Sequence, residues 1–331
     1  MEHSGSINKT IVITSVYPPT EAVEAFAKMK DYKLVVAGDK KTPSDWHHEN
    51  VEYLPVETHE NIGTHLNKVL PYNHYSRKMI GYIHAITKGA DLIIDTDDDN
   101  IPKDNWIFPG FESEYAYIPG GKGFINIYQL YTNAHIWPRG LPLQLINKKF
   151  DLEKDLTTSK SKVGMWQGLA DEDPDVDAIY RLTSDVPVYF NNRPPVVLGK
   201  GTISPFNTQN TIIRKELFAL MYLPTYVTFR FTDILRGFIA QPIMWLNNYH
   251  LGFVDATVVQ KRNPHDYVKD FISEIPMYKH CEEVMEITSA SVSAGVGIND
   301  NLYNTYEALL KKGIVEDREL NVLSAWLKDI S

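Results

Sequence analysis

The first third of the chain alternates two hydrophobic rhythms. TIVITSVY (10–17), YKLVVAGD (32–39) and DLIID (91–95) are apolar runs that read as buried strands, with VEYLP (51–55) as a shorter one. Between them, Glu21 to Lys30 and SRKMIGYIHAITKGA (76–90) carry apolar residues at helical spacing, the second closed by Gly89. Strand and helix in alternation predict an α/β fold, a mostly parallel sheet covered by helices. Ligands of such sheets bind beyond the carboxyl ends of the strands. Thr14-Ser15, Asp39 and the acidic end of GADLIIDTDDDN (89–100) all fall there, so three polar clusters are expected to share one rim.

From Glu112 the pattern loosens into aromatic and proline-rich stretches such as IWPRGLPL, and the polar run DLEKDLTTSKSK (151–162) reads as an exposed loop. Strand-and-helix order returns with GTISPFNTQNTIIRKELFALMYLP, and the tail from Lys279 to Ser331 is mostly helical in pattern. In between, Asp233 heads an amphipathic helix that leads into a strand and then Lys261-Arg262-Asn263-Pro264-His265-Asp266. No internal repeat or separating linker is visible.

Composition narrows the function classes. At 331 residues, 43% hydrophobic and 23% charged, the chain is long enough for one large domain or two modest ones. Its single cysteine, Cys281, excludes a disulfide framework and a cysteine-cluster metal site, and suits a reducing compartment. A net charge of -9 argues against nucleic acid as a partner. The leader MEHSGSINK is polar and no apolar run is long enough to cross a bilayer, so a cytoplasmic protein with no membrane span is expected.

Asp95, Asp97, Asp98 and Asp99 repel one another at neutral pH, and a cation among them would relieve the cost. An EF-hand loop would need Gly and Glu where Asn100 and Trp106 stand, and a helix before it where a strand is expected. An aspartyl phosphatase places Asp-x-Asp after its first strand, whereas this cluster follows a later one. A solvated acidic loop is the plain alternative. The order and position fit a metal-dependent glycosyltransferase, in which Asp-x-Asp at a strand end holds Mn²⁺ or Mg²⁺ against the diphosphate of a sugar nucleotide.

Several stretches carry a family resemblance. FTDILRGFIAQ with the later histidine resembles the second half of inverting glycosyltransferases of GT-A type. YSRKMIGYIHAITKGADLIIDTDDD, IWPRGLPL, WQGLADEDPDVDAIYRLT, PFNTQNT and FTDILRGFIAQ together resemble the STELLO family of plant Golgi glycosyltransferase-like proteins and their microbial and invertebrate relatives. The Asp-Val-Asp-Ala segment is more weakly similar to reversibly glycosylated plant proteins that isomerise UDP-arabinose. The resemblance implies a GT-A fold, divided as a glycosyltransferase domain over 8–278 and a helical extension over 279–331. Within that domain, 8–111 would be the nucleotide-sugar half and 112–278 the acceptor and catalytic half.

It also implies roles. Asp233 would match the general base and His265 a metal ligand beside Asp97, with Asp95 on the ribose or a metal-bound water. Thr14, Ser15 and Asp39 would bind the base and ribose, uracil being favoured, and Arg77 and Lys78 would approach the diphosphate. Trp137, Arg139, Trp166, Gln167, Asp175 and Asp177 supply the aromatic faces and hydrogen-bonding groups of an acceptor wall, with a structural turn and a helix cap as the alternative. The expected reaction moves a sugar from a UDP-linked donor to a glycan or other hydroxyl acceptor, with inversion. A silent sugar-nucleotide-binding scaffold and a mutase or nucleotidyltransferase remain as alternatives, although VYPPTE after the first strand is no glycine-rich phosphate loop.

Overall fold

The computed structural model describes residues 7–184, 186–262 and 265–331; Met1–Ser6 of the polar leader, Asp185, and Asn263–Pro264 of the histidine loop lie outside them. Strands β1 (Lys9–Thr14), β2 (Lys33–Ala37), β3 (Glu52–Leu54) and β4 (Leu92–Thr96) lie parallel in the order β3-β2-β1-β4. They read as continuous apolar runs because both faces of the sheet are covered. Ile11, Ile13, Val36 and Ile94 enter one buried cluster, while Val12, Val35 and Ile93 enter the other. Helices α1 (Glu21–Phe26), α2 (His59–Ile62) and α3 (Lys78–Thr87) connect these strands. A Cβ on Gly81 of α3 would meet Val12 at 2.6 Å, so glycine lets that helix lie close on β1.

Past β4 the sheet becomes mixed. β5 (Asn100–Pro102), β6 (Glu112–Ile118), β7 (Gly123–Phe124), α4 (Leu152–Asp155), β8 (Thr157–Asp171), α5 (Ala178–Thr183), β9 (Val196–Leu198), β10 (Thr202–Ile203), β11 (Asn210–Arg214), α6 (Thr232–Leu246) and β12 (His250–Gln260) follow in the chain. Ten strands form one sheet, ordered β3-β2-β1-β4-β11-β8-β6-β9-β12-β5, with a further β8–β12 pairing. β11 runs antiparallel to β4 and β8, and β12 runs parallel to β8. The expected α/β architecture, consistent with a GT-A-like fold, is therefore present, parallel through its first four strands and mixed beyond.

The structure departs from the sequence reading at DLEKDLTTSKSK. Leu152–Asp155 is helical, and Thr157 onward forms the first half of β8, paired with β6. That half is exposed at most positions on both faces, so its side chains carry no alternation for a pattern to reveal.

Three helices complete the fold: α7 (Tyr267–Ser291), α8 (Ile298–Lys311) and α9 (Asp317–Asp329). α7 runs through the 278/279 boundary without a break. α9 is bound to the main core: Trp326 is fully buried and its indole N–H donates to the Ala219 carbonyl at 3.0 Å. Buried Glu319 accepts from the Thr225 and Tyr226 amides at 2.8 and 2.7 Å and from the Tyr222 hydroxyl. Asp329 accepts from the Leu66 amide at 2.7 Å, tying the last helix to the first third of the chain. Among the described residues, no helix is long and apolar enough to cross a membrane.

Candidate active site

A cavity of about 380 Å³ opens at the carboxyl ends of β1, β2 and β4. Thr14 and Ser15 after β1, Asp39 after β2 and Asp97, Asp98 and Asp99 after β4 all line it, so the three polar clusters do share one rim. Thr14 donates its hydroxyl to the Ala37 carbonyl at 3.0 Å, and Ser15 donates to the Asp98 carboxylate. Asp39 accepts from the Lys40 and His74 amides at 2.7 and 3.1 Å, which fixes its carboxylate at the rim.

The register of the acidic motif differs from the sequence reading. β4 extends through Thr96, so Asp95 lies inside the sheet, fully buried. Lys78 Nζ sits 2.6 Å from one of its oxygens and Arg236 Nη1 lies 2.8 Å from the other. Asp95 is therefore a counter-ion beneath the cavity, and the Asp-x-Asp facing it is Asp97-Asp98-Asp99. Lys78 also reaches Asp97 at 2.9 Å and the Thr96 carbonyl at 2.6 Å, all its reach spent on the motif. Burial works against the Lys78 charge, but Asp95 and Asp97 outweigh it and hold the ammonium above its usual range.

The three cavity aspartates resist ionisation. Burial, with the negative charge of Asp97, pushes Asp99 up to about 7, and burial raises Asp98 to about 6 and Asp97 in the same direction. Among the described residues, Oδ1 of Asp99 is buried without a hydrogen-bond partner, while its other oxygen accepts from Gln260 at 3.1 Å. Asp97 uses one oxygen on Lys78 and Tyr75, the phenol at 3.1 Å. Among the described residues, no three His, Cys, Asp or Glu side chains converge as a ready cation cage. An orphaned carboxylate oxygen beside a second carboxylate nonetheless fits Mg²⁺ or Mn²⁺, which take one or two carboxylates and complete their sphere with substrate phosphate and water.

The opposite wall is built around Arg139. Its Nε and Nη2 donate to the two oxygens of Asp175 at 2.8 and 2.9 Å. Nη1 and Nη2 donate to the two oxygens of Asp233 at 3.0 and 2.8 Å, and Nη1 also donates to the Arg230 carbonyl. All five N–H groups are thus engaged within the protein, which leaves Arg139 no donor for a substrate. Burial opposes its charge, and Asp175 and Asp233 overcome it, raising the guanidinium well above its ordinary value. Asp233 sits in the first turn of α6, and among the described residues its carboxylate is engaged by Arg139 at the cavity.

Other sequence-named residues fall outside the cavity lining. Arg77 is buried, donating to Asn67 at 2.6 Å and meeting the His59 ring, although it directly precedes Lys78. Trp137 donates its indole N–H to Asp177 at 2.7 Å, and Asp177 caps α5 through the Tyr180 amide at 2.9 Å. The helix-cap alternative thus holds for Asp177. Trp166 is buried, its indole N–H on the Gly110 carbonyl at 3.1 Å and its ring against Gly252. Gln167 lies beneath the cavity and accepts from the Asn207 amide at 3.0 Å. His265 does line the cavity, with its Nδ1 3.0 Å from Asp270.

The sequence reading missed Tyr75, Asn207, Thr208, Gln209, Arg230 and Arg262, which also line the cavity. The PFNTQNT string was the available signal, since three consecutive amide and hydroxyl side chains just before a strand offer hydrogen-bonding groups at a rim.

The model of the family described as "STELLO glycosyltransferases" matches residues 230–331, which hold Arg230, Asp233, Arg262 and His265. Two Arabidopsis thaliana proteins, "Probable glycosyltransferase STELLO1" and "Probable glycosyltransferase STELLO2", are each 24% identical to it over 97% of this chain. The chain is similar to STELLO glycosyltransferases. It spans 44% of the length of each of those relatives. A solved structure titled "Crystal Structure of a Mycobacterial Protein" matches the STELLO-like chain with a TM-score of 0.39 at 9% identity, over 87% of this chain and 76% of the other.

Proposed function

We propose that this STELLO-like chain is a glycosyltransferase that moves a sugar from a nucleotide-diphosphate sugar, UDP-linked by preference, to an acceptor hydroxyl with inversion. The observation that carries the reading is one cavity holding two kinds of carboxylate on facing walls. Asp97 and Asp99 stand at the end of β4, and Asp233 stands on α6.

Asp97 and Asp99 would hold Mn²⁺ or Mg²⁺, with His265 as a further ligand. The bound ion would supply charge stabilisation for the departing diphosphate. Thr14, Ser15 and Asp39 would orient the nucleoside at the sheet rim, and Tyr75 and Lys78 would keep Asp97 in place through its inner oxygen. Asp233 would accept the acceptor's hydroxyl proton as that oxygen attacks the anomeric carbon from the face opposite the diphosphate. One displacement with the proton passing to Asp233 inverts the configuration. Gln209, Asn207 and Arg262 line the same cavity and would meet the sugar hydroxyls there.

The Arg139–Asp233 pairing favours one other reading, a sugar-nucleotide-binding protein without turnover, because a carboxylate held at both oxygens by a guanidinium is a poor proton acceptor. A screen of nucleotide sugars for transfer and hydrolysis with and without Mn²⁺, run on wild type and Asp233→Asn, separates them. The transferase reading expects metal-dependent turnover of at least one donor and a loss on the order of a hundredfold in Asp233→Asn. Tight UDP binding with no turnover of any donor overturns it in favour of the binding protein.

A further inference from the structure

Trp-Pro-Arg-Gly at 137–140 performs three fixings within four residues. Trp137 is tied to Asp177 at the start of α5. Arg139 joins Asp175, just before α5, to Asp233 on α6, 94 positions away. Gly140 adopts φ +95°, and a Cβ there would meet Ile234 at 2.6 Å and Phe238 at 3.2 Å on α6. Only glycine combines that backbone with so close an approach, and it seats the arginine against the first turn of α6.

We propose that Arg139 is a positioning residue, set by Gly140, that fixes the orientation of the Asp233 carboxylate toward the acceptor; this rests on the base role given to Asp233 above. Two N–H groups in one plane hold both Asp233 oxygens, so the carboxylate cannot rotate and its remaining lone pairs point away from the guanidinium. Asp175 holds the other edge of the same guanidinium, and Asn207 Nδ2, which lines the cavity, donates to Asp175 at 2.7 Å. The titratable and charged groups around Asp233 include Arg139 from the 137–140 loop, Asp175 ahead of α5, Arg230 before α6, whose Nε is engaged by Glu274 of α7 at 2.8 Å, and Asp97 after β4 and Tyr75 before α3, which both feel the Asp233 charge. A lysine keeps the charge at position 139 but reaches one oxygen at a time and leaves the carboxylate free to turn.

The test uses the full chain as wild type, Arg139→Lys, Gly140→Ala and Asp233→Asn. The Asp233 carboxyl carbon is followed by NMR at one fixed pH and assigned by its absence in Asp233→Asn. UDP with Mn²⁺ is titrated calorimetrically into each protein. The proposal expects the Asp233 carboxyl resonance, single and sharp in wild type, to shift and broaden in both Arg139→Lys and Gly140→Ala, since each frees the carboxylate to turn. UDP affinity is expected to stay within about twofold, because the nucleotide would lie at the ends of β1, β2 and β4. With a donor found by the screen above, kcat is expected to fall on the order of a hundredfold with little change in KM. An unchanged resonance in Arg139→Lys overturns the positioning role whether or not any donor is turned over. An active Asp233→Asn instead overturns the base reading, and leaves the NMR result to decide the clamp alone.

Discussion

Arg236 Nη1 lies 2.8 Å from Asp95 Oδ2, and both side chains are buried. With Lys78 on the other oxygen, Asp95 is the counter-ion of two buried cations. Removing it strands the Arg236 charge and leaves Lys78 to Asp97 alone, so Asp95→Ala is expected to cost about 3–5 kcal/mol and lower the melting temperature sharply. Asp97→Ala should melt near wild type, since its side chain is 28% exposed, yet lose UDP affinity in Mn²⁺. Thermal melts beside calorimetric UDP titration check the contrast. The opposite pattern would return the binding motif to Asp95.

Charging the cavity aspartates costs the folded protein stability. Asp98 and Asp99 are raised to about 6 and about 7, so the folded state holds their protons more tightly than the unfolded chain does. The protein without metal should lose stability as pH climbs from the ordinary carboxylate range through about 7. A divalent cation relieves this, so Mn²⁺ should raise the melting temperature more at about pH 8 than at about pH 5. An equal shift at both, or none, argues against a cation held by these carboxylates.

Asp175 behaves in the reverse sense. Burial alone would raise its pKa, but Arg139 and Arg230 outweigh burial and hold it at about 2. Its contribution is complete above the ordinary aspartate value and drains away as pH falls from there toward about 2, amounting to about 2 kcal/mol. Urea midpoints measured down this range should fall more steeply for wild type than for Asp175→Asn. Parallel slopes would defeat the assignment.

The last helices are expected to be inseparable from the rest. Glu319→Ala leaves the Thr225 and Tyr226 amides and the Tyr222 hydroxyl without their buried acceptor. Each orphaned group costs about 1–3 kcal/mol, so a loss of several kcal/mol is expected. A chain ending at residue 278 should fail to fold, since it cuts α7 and removes Trp326 from the core. Cooperative unfolding of that truncated chain, seen by circular dichroism, would show an independent first domain.

The rim was legible from sequence because parallel strands announce themselves as apolar runs, and their carboxyl ends must share one edge. Asp95 was misread because its strand runs one residue past it, and a two-residue error in an Asp-rich run exchanges a buried counter-ion for a cavity ligand. The Arg139 clamp depends on contacts 36 and 94 positions distant, which no local pattern encodes. Trp137, Trp166 and Gln167 resemble sugar-recognition residues in type, but their polar atoms are spent on Asp177, the Gly110 carbonyl and the 207–211 segment.

β8 belongs to both halves of the molecule. Its first residues pair with β6, and its later ones are bonded to β11 on one side and β12 on the other. β11 in turn pairs with β4, the strand that delivers Asp97–Asp99. An opening of the two walls like a hinged clamshell would have to unzip this ladder, at the loss of several backbone hydrogen bonds at once. The distance between the aspartate loop and α6 is therefore held by a continuous sheet, and admitting a donor falls to the side chains and loops around the rim.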